Sequence, residues 1–150
     1  MNENSQVEIL LIEDNYNDAE LAVRSLKKHN LTAKLKHIDD GAEALDFIFS
    51  KGSYSGRDQL SGIKLIILDL KLPKVNGLEI LTQLKTNEQK KMIPVVIFTS
   101  SSHEKDVIES YRLGVNSYIV KPVNFQSFNT AIAELGMYWL LLNHSPGPAN

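Results

Sequence analysis

A chain of 150 residues with 43% hydrophobic content suits one soluble globular domain with a buried core, and excludes a chain too polar to fold. That length leaves no room for a second, output domain, so the expectation is a single domain over 1–143 and a flexible tail over 144–150. The formal net charge of -2 gives no general drive toward nucleic acid or an anionic membrane, and the absence of cysteine excludes disulfides, thiolate zinc sites and cysteine nucleophiles.

The amino terminus, Met1 to Gln6, is polar and has no signal-peptide core, and no apolar run approaches membrane-spanning length. A cytoplasmic location follows as the expectation. The first strand is read at Val7 to Ile12, ending in Glu13-Asp14. A helix from Asn17 to about His29 places Ala19, Ala22, Val23 and Leu26 on one buried face. Asn17 with Glu20 stands at capping-box spacing, as do Asp40 with Glu43, Asn76 with Glu79 and Ser101 with Glu104, which marks four helix starts. Further strands are read at Ala33 to Ile38, Ile63 to Leu68, Ile93 to Phe98 and Ser117 to Val120, with a Gly- and Ser-rich surface loop from Lys51 to Gly62. Five strands alternating with five helices predict a three-layer α/β fold around a parallel sheet, because parallel neighbours need crossovers and helices supply them.

Three of the apolar runs end in charged residues: Glu13-Asp14, Asp69, and Lys121-Pro122. Each run is rich in Leu and β-branched residues, as a strand buried on both faces is, and the carboxyl edge of an open parallel sheet is where sites are built. With strand order 2-1-3-4-5, the first and third strands lie side by side and bring Glu13 and Asp14 to Asp69. Three converging carboxylates repel one another without a cation, so the set points to an oxygen site for Mg2+. Asp69 is then the nucleophile toward phosphorus and Lys121 the complementary charge, while the Thr99 hydroxyl after the fourth run is placed to donate to a phosphoryl oxygen. The bond to Pro122 is a candidate cis peptide.

The set Glu13-Asp14, Asp69, Thr99 and Lys121-Pro122 resembles the receiver domain of bacterial two-component response regulators, over nearly the whole chain. The resemblance implies a doubly wound, flavodoxin-like (βα)5 sandwich that is a phosphoacceptor and not an enzyme. It implies that Asp69 accepts a phosphoryl group from a phosphohistidine on a sensor histidine kinase. On the same resemblance Asp14 would bind Mg2+ directly, Glu13 would act nearby through water, and the backbone carbonyl of Lys71 would complete the protein ligands. Thr99 and Lys121 would grip the phosphoryl oxygens, and Tyr118 would be the aromatic switch that moves when Thr99 is drawn inward, altering the face around Ile108 and Tyr111. Glu13 departs from the Asp common at that place. The stretches Asp69 to Lys74, Ser110 to Leu113 and Tyr118 to Asn124 are similar to the small regulators of cyanobacterial and other bacterial phytochrome kinases.

Other classes meet specific obstacles. A flavodoxin needs a hydroxyl- and glycine-rich loop where Glu13-Asp14-Asn15-Tyr16 stands, and no P-loop or dinucleotide fingerprint occurs. An aspartyl-nucleophile, metal-dependent phosphatase is the nearest enzymatic alternative, but Lys71 occupies the place of its second acid. A phosphorylation-independent interaction module is the third. His29, His37, His103 and His144 lack ligand spacing and are read as surface residues, and Lys85 to Lys91 as a solvated helix end. In the last helix Phe125, Phe128, Ile132, Leu135, Trp139 and Leu142 form one stripe at 3-4-3-4-3 spacing. From Met137 to Leu142 the chain is apolar all round, which predicts a homodimer through that helix.

Overall fold

A computed structural model describes residues 6–31, 34–144 and 146. Five strands, β1 (Ile9–Ile12), β2 (Leu35–Ile38), β3 (Leu65–Leu68), β4 (Val95–Thr99) and β5 (Ser117–Val120), alternate with five helices, α1 (Tyr16–Lys28), α2 (Gly41–Ile48), α3 (Gly77–Lys85), α4 (Glu104–Arg112) and α5 (Phe125–Gly136). The sheet is fully parallel in the order β2-β1-β3-β4-β5. This is the doubly wound α/β sandwich that the alternation predicts. Of the second strand, Ala33 lies outside the described residues, and the other predicted strands start up to two residues before the observed ladder.

The sheet separates two apolar layers because side chains alternate along each strand. Leu10, Ile12, Ile66, Leu68, Val95 and Ile97 face a layer shared with α2 and α3. Ile9, Leu11, Leu65, Ile67, Val96 and Phe98 face the other, where α1 and α5 contribute Ala19, Ala22, Leu26, Phe128 and Ile132. Strands β1, β3 and β4 are buried on both faces. Strand β5 is not, contrary to the expectation for its run, because it is a sheet edge and Val120 looks outward.

Two of the four helix starts stand where the capping spacing puts them. Asp40 and Asn76 cap α2 and α3 by accepting from the amides of Glu43 and Glu79. Helix α1, however, begins two residues early: Asn15 is the cap and its side chain accepts from the Asp18 amide at 3.0 Å, so the working pair is Asn15 with Asp18, not Asn17 with Glu20. Helix α4 begins two residues late, after His103, because the Ser101 hydroxyl is committed to Asp106 Oδ2 at 2.6 Å and to the His103 amide. No peptide bond among the described residues is cis, so the one before Pro122 is trans. Lys51 to Gly62 is largely exposed, as predicted, with one 3₁₀ turn at Gly52–Tyr54.

The C-terminal stripe is shorter than its spacing suggests. Phe128, Ile132 and Leu135 are buried and Trp139 packs at the margin of the core, but Phe125 and Leu142 are exposed. Phe125 sits at the first position of α5, before the helix comes over the sheet. After Gly136 the chain widens into a π-helical turn, Met137–Leu142, closed by a bond from the Asn143 amide to the Tyr138 carbonyl. That change of pitch rotates Leu142 off the stripe. Of the expected tail, 145 and 147–150 lie outside the described residues.

Candidate functional site

Strand register alone brings the charged residues together. Ile12 pairs with Leu68, so Glu13 and Asp69 leave the sheet side by side, and the Asp69 amide donates to the Ile12 carbonyl at 3.0 Å. Thr99 pairs with Val120, and the Lys121 amide donates to the Thr99 carbonyl at 2.7 Å. The site therefore lies at the carboxyl edge, at the point where strand order reverses between β1 and β3.

Its centre is the Lys121 ammonium. Nζ lies 2.7 Å from Glu13 Oε1, 2.8 Å from Asp18 Oδ2 and 2.9 Å from Asp69 Oδ2, with the lysine side chain only 9% exposed. Burial alone would lower the lysine pKa, but hydrogen bonds and charge from Asp18, Glu13 and Asp69 raise it instead. Asp69 is subject to the same contest. Its burial favours the neutral acid, yet hydrogen bonds from Thr99 and Lys121 and a further bond with Glu13 hold its carboxyl below the usual carboxylate range. Asp69 is thus kept ionised. Glu13, 3% exposed, goes the other way: burial pushes it up to about 8 against the pull of Lys121, and the Asp69 charge adds to the rise.

The predicted donors converge. Carboxylate oxygens of Glu13, Asp14 and Asp69 lie within 4.8 Å of one another, Asp14 being the exposed member. An all-oxygen set with one open, solvent-facing carboxylate fits a hard divalent cation that keeps some of its water. Lys71 is exposed on the loop after β3, and its amide approaches Asp69 Oδ1 at 3.4 Å. Thr99 is fully buried, its hydroxyl contributes to lowering the Asp69 pKa, and the Ser101 amide approaches that hydroxyl at 3.4 Å. Tyr118 is half-buried, and its hydroxyl donates to the Ser101 carbonyl at 2.8 Å. Ile108 and Tyr111 are exposed on α4.

Two glycines let backbones close around the site. A Cβ on Gly77 would stand 2.2 Å from the Asp69 carbonyl oxygen, and one on Gly41 would stand 1.8 Å from the Val75 carbonyl oxygen. Only glycine permits the β3–α3 loop to fold down this tightly. Within that loop Lys74 holds a left-handed φ of 70°.

Sequence reasoning missed several contributors. Asp18 reaches Lys121 from the first turn of α1, a position that follows from the helix starting at Tyr16. His37 is not a plain surface residue: it is half-buried, with Nε2 2.7 Å from the Glu13 carbonyl oxygen, a contact set by the pairing of β1 with β2. Lys85 is not solvated either. Its ammonium donates to the carbonyls of Lys91 and Ile93 and to Asn116 Oδ1, tying α3 to the start of β4 and β5.

The model of the response regulator receiver domain family matches residues 9–133. The chain is 40% identical over 142 residues to the probable methanogenesis regulatory protein FilR2 of Methanothrix harundinacea, covering 94% of this chain and 88% of that protein. It is 38% identical over 132 residues to the response regulator Rcp1 of Synechocystis, covering 88% of each. The Mn2+-bound form of Rcp1 superposes with a TM-score of 0.84 over 94% of this chain and 99% of that one, at 37% identity. The phosphorylated cyanobacterial phytochrome response regulator RcpA superposes with a TM-score of 0.87, at 32% identity over 95% of this chain and 99% of that one.

Proposed function

Because this chain belongs to the response regulator receiver domain family, we propose that it works as a single-domain response regulator, residues 1–143, that takes a phosphoryl group from a sensor histidine kinase onto Asp69. The observation that carries the reading is the placement of an ionised Asp69 between the Lys121 ammonium and the acidic oxygens of Glu13 and Asp14. In the transfer, one Asp69 oxygen forms a bond to phosphorus while the P–N bond of the phosphohistidine breaks. The electron pair leaves on the imidazole nitrogen, which becomes neutral imidazole with a proton from water.

Glu13, Asp14 and Asp69, with the Lys71 carbonyl, are the residues that would hold Mg2+. When bound, the ion neutralises charge on the transferring phosphoryl oxygens. Lys121 supplies a second positive charge to the same oxygens, and Thr99 donates a hydrogen bond. Engagement of Thr99 frees the space beneath Tyr118, whose hydroxyl then exchanges its Ser101 partner; the α4–β5 surface near Ile108 and Tyr111 responds as a population shift between two packings. The chain is a phosphoacceptor with at most slow self-dephosphorylation, not a turnover enzyme; the phosphatase alternative lacks its second acid at Lys71, and an interaction module that ignores phosphorylation has no use for an assembled pocket.

Among kinases, the sensor we propose is a phytochrome, on the strength of the likeness to Rcp1 and RcpA. A cytoplasmic site of action belongs to the same proposal. No described helix is long and apolar enough to cross a membrane. We also propose a homodimer through the C-terminal segment, where Met137, Tyr138, Leu141 and Leu142 remain exposed on a turn that one small domain cannot cover.

The deciding experiment is labelling with a radioactive phosphodonor. Wild type should incorporate label into an acid-stable, hydroxylamine-labile acyl phosphate, and both EDTA and Asp69→Asn should abolish it. Label retained in Asp69→Asn removes the assignment, and a phosphotransfer profile against the histidine kinases of the same genome identifies the sensor.

A further inference from the structure

Lys121 has three N–H donors, and each is directed to a different carboxylate: Glu13, Asp18 and Asp69. Two of the three belong to the cluster suited to a cation; Asp18 does not. As Glu13 and Asp69 turn oxygens toward a cation and Asp69 becomes an acyl phosphate, oxygens that now face the ammonium are diverted to those groups. The acyl oxygens of the phosphorylated Asp69 carry less charge than the carboxylate they replace. Asp18, outside that cluster, is the one partner of the three that neither change touches.

We infer that Asp18 is a positioning residue for phosphoryl transfer, a dedicated anchor that holds the Lys121 ammonium over Asp69 when the lysine's other two carboxylate partners are drawn away. The inference rests on Asp69 being the phosphoacceptor. It is supported by how rigidly Asp18 is held. Its backbone amide is fixed by the Asn15 cap at 3.0 Å, at the third position of α1, and its side chain is partly shielded at 27% exposure. It spans 103 residues of sequence to reach Lys121 at 2.8 Å, so it also ties the entrance of α1 to the β5–α5 junction. A charge-assisted bond of this kind orients as well as attracts. Without it the long lysine side chain has free rotamers toward solvent, and its ammonium is offered to the phosphoryl oxygens in fewer of the attempts.

The test is a double-mutant cycle between Asp18 and Lys121. Labelling rates with acetyl phosphate in saturating Mg2+ are compared for wild type, Asp18→Asn, Lys121→Met and the pair, with Asp18→Glu as the conservative variant. Asp18→Asn should slow labelling by about tenfold, Asp18→Glu should restore part of that rate, and Asp18→Asn should have no further effect once Lys121→Met is present. A merely structural residue would slow both backgrounds by the same factor, and that result, or an unaffected single variant, overturns the inference. A second measurement does not depend on phosphorylation. The ammonium protons of Lys121, observed by nitrogen-15 NMR with Mg2+ present, should be protected from exchange in wild type and lose that protection in Asp18→Asn. If wild type takes no label at all, the phosphoacceptor reading fails on its own, and the NMR arm still decides the anchor: unchanged protection in Asp18→Asn refutes it.

Discussion

Glu13 offers a quantitative test of the site's charge balance. Three acids, Glu13, Asp18 and Asp69, contact the Lys121 ammonium, and burial of Glu13 with the Asp69 charge beside it raises its pKa to about 8. A group of that pKa is about 0.9 protonated at pH 7 and about 0.2 at pH 8.5. A divalent cation in the cluster requires the ionised form, so its uptake should expel the proton: about 0.9 per Mg2+ at pH 7, falling to about 0.2 at pH 8.5. Isothermal titration in buffers of different ionisation enthalpy counts the protons directly, and Glu13→Gln should reduce the count at pH 7 to near zero. Proton-neutral uptake by wild type at pH 7 would refute the reasoning, as would a Glu13→Gln variant that releases as much. Linkage gives the sign for stability as well. The folded pKa lies above the ordinary 4.5, so the stability held by protonated Glu13 is fully present below 4.5 and is lost as pH rises through about 8. In EDTA the protein should therefore melt lower at mildly alkaline pH than at pH 6, and Glu13→Gln should flatten that slope.

Thr99→Ala should still accept phosphate on Asp69 but leave kinase affinity insensitive to it; an affinity change equal to wild type, measured with and without phosphodonor, counts against the switch. Gly77→Ala places a Cβ 2.2 Å from the Asp69 carbonyl oxygen, and should cost about 1–3 kcal/mol in urea denaturation while slowing Asp69 labelling; an unchanged midpoint shows that the loop gives way without strain. Leu141 and Leu142 are 66% and 73% exposed, and replacing both by Asp should convert a dimer to a monomer by light scattering at tens of micromolar. A wild type that is already monomeric, with and without phosphorylation, ends the dimer proposal.

The amino-acid sequence by itself determined the strands, the burial of the central ones on both faces and the charged residues at their ends. The apolar runs Ile9 to Ile12, Leu65 to Leu68 and Val95 to Phe98 are local signals, and each candidate site residue that follows is tied to the sheet edge by simple adjacency along the chain. Glu13, Asp14, Asp69, Thr99 and Lys121 were legible for that reason. What only the tertiary structure decided involves partners brought together by register or by helix entry. Asp18 reaches Lys121 because α1 starts at Tyr16, His37 reaches the Glu13 carbonyl because β1 pairs with β2, and Leu142 leaves its stripe because the chain widens after Gly136. Spacing along the chain states which residues share a face, but a side chain's partner depends on where a second element, 103 residues away in the case of Asp18, comes to rest against it.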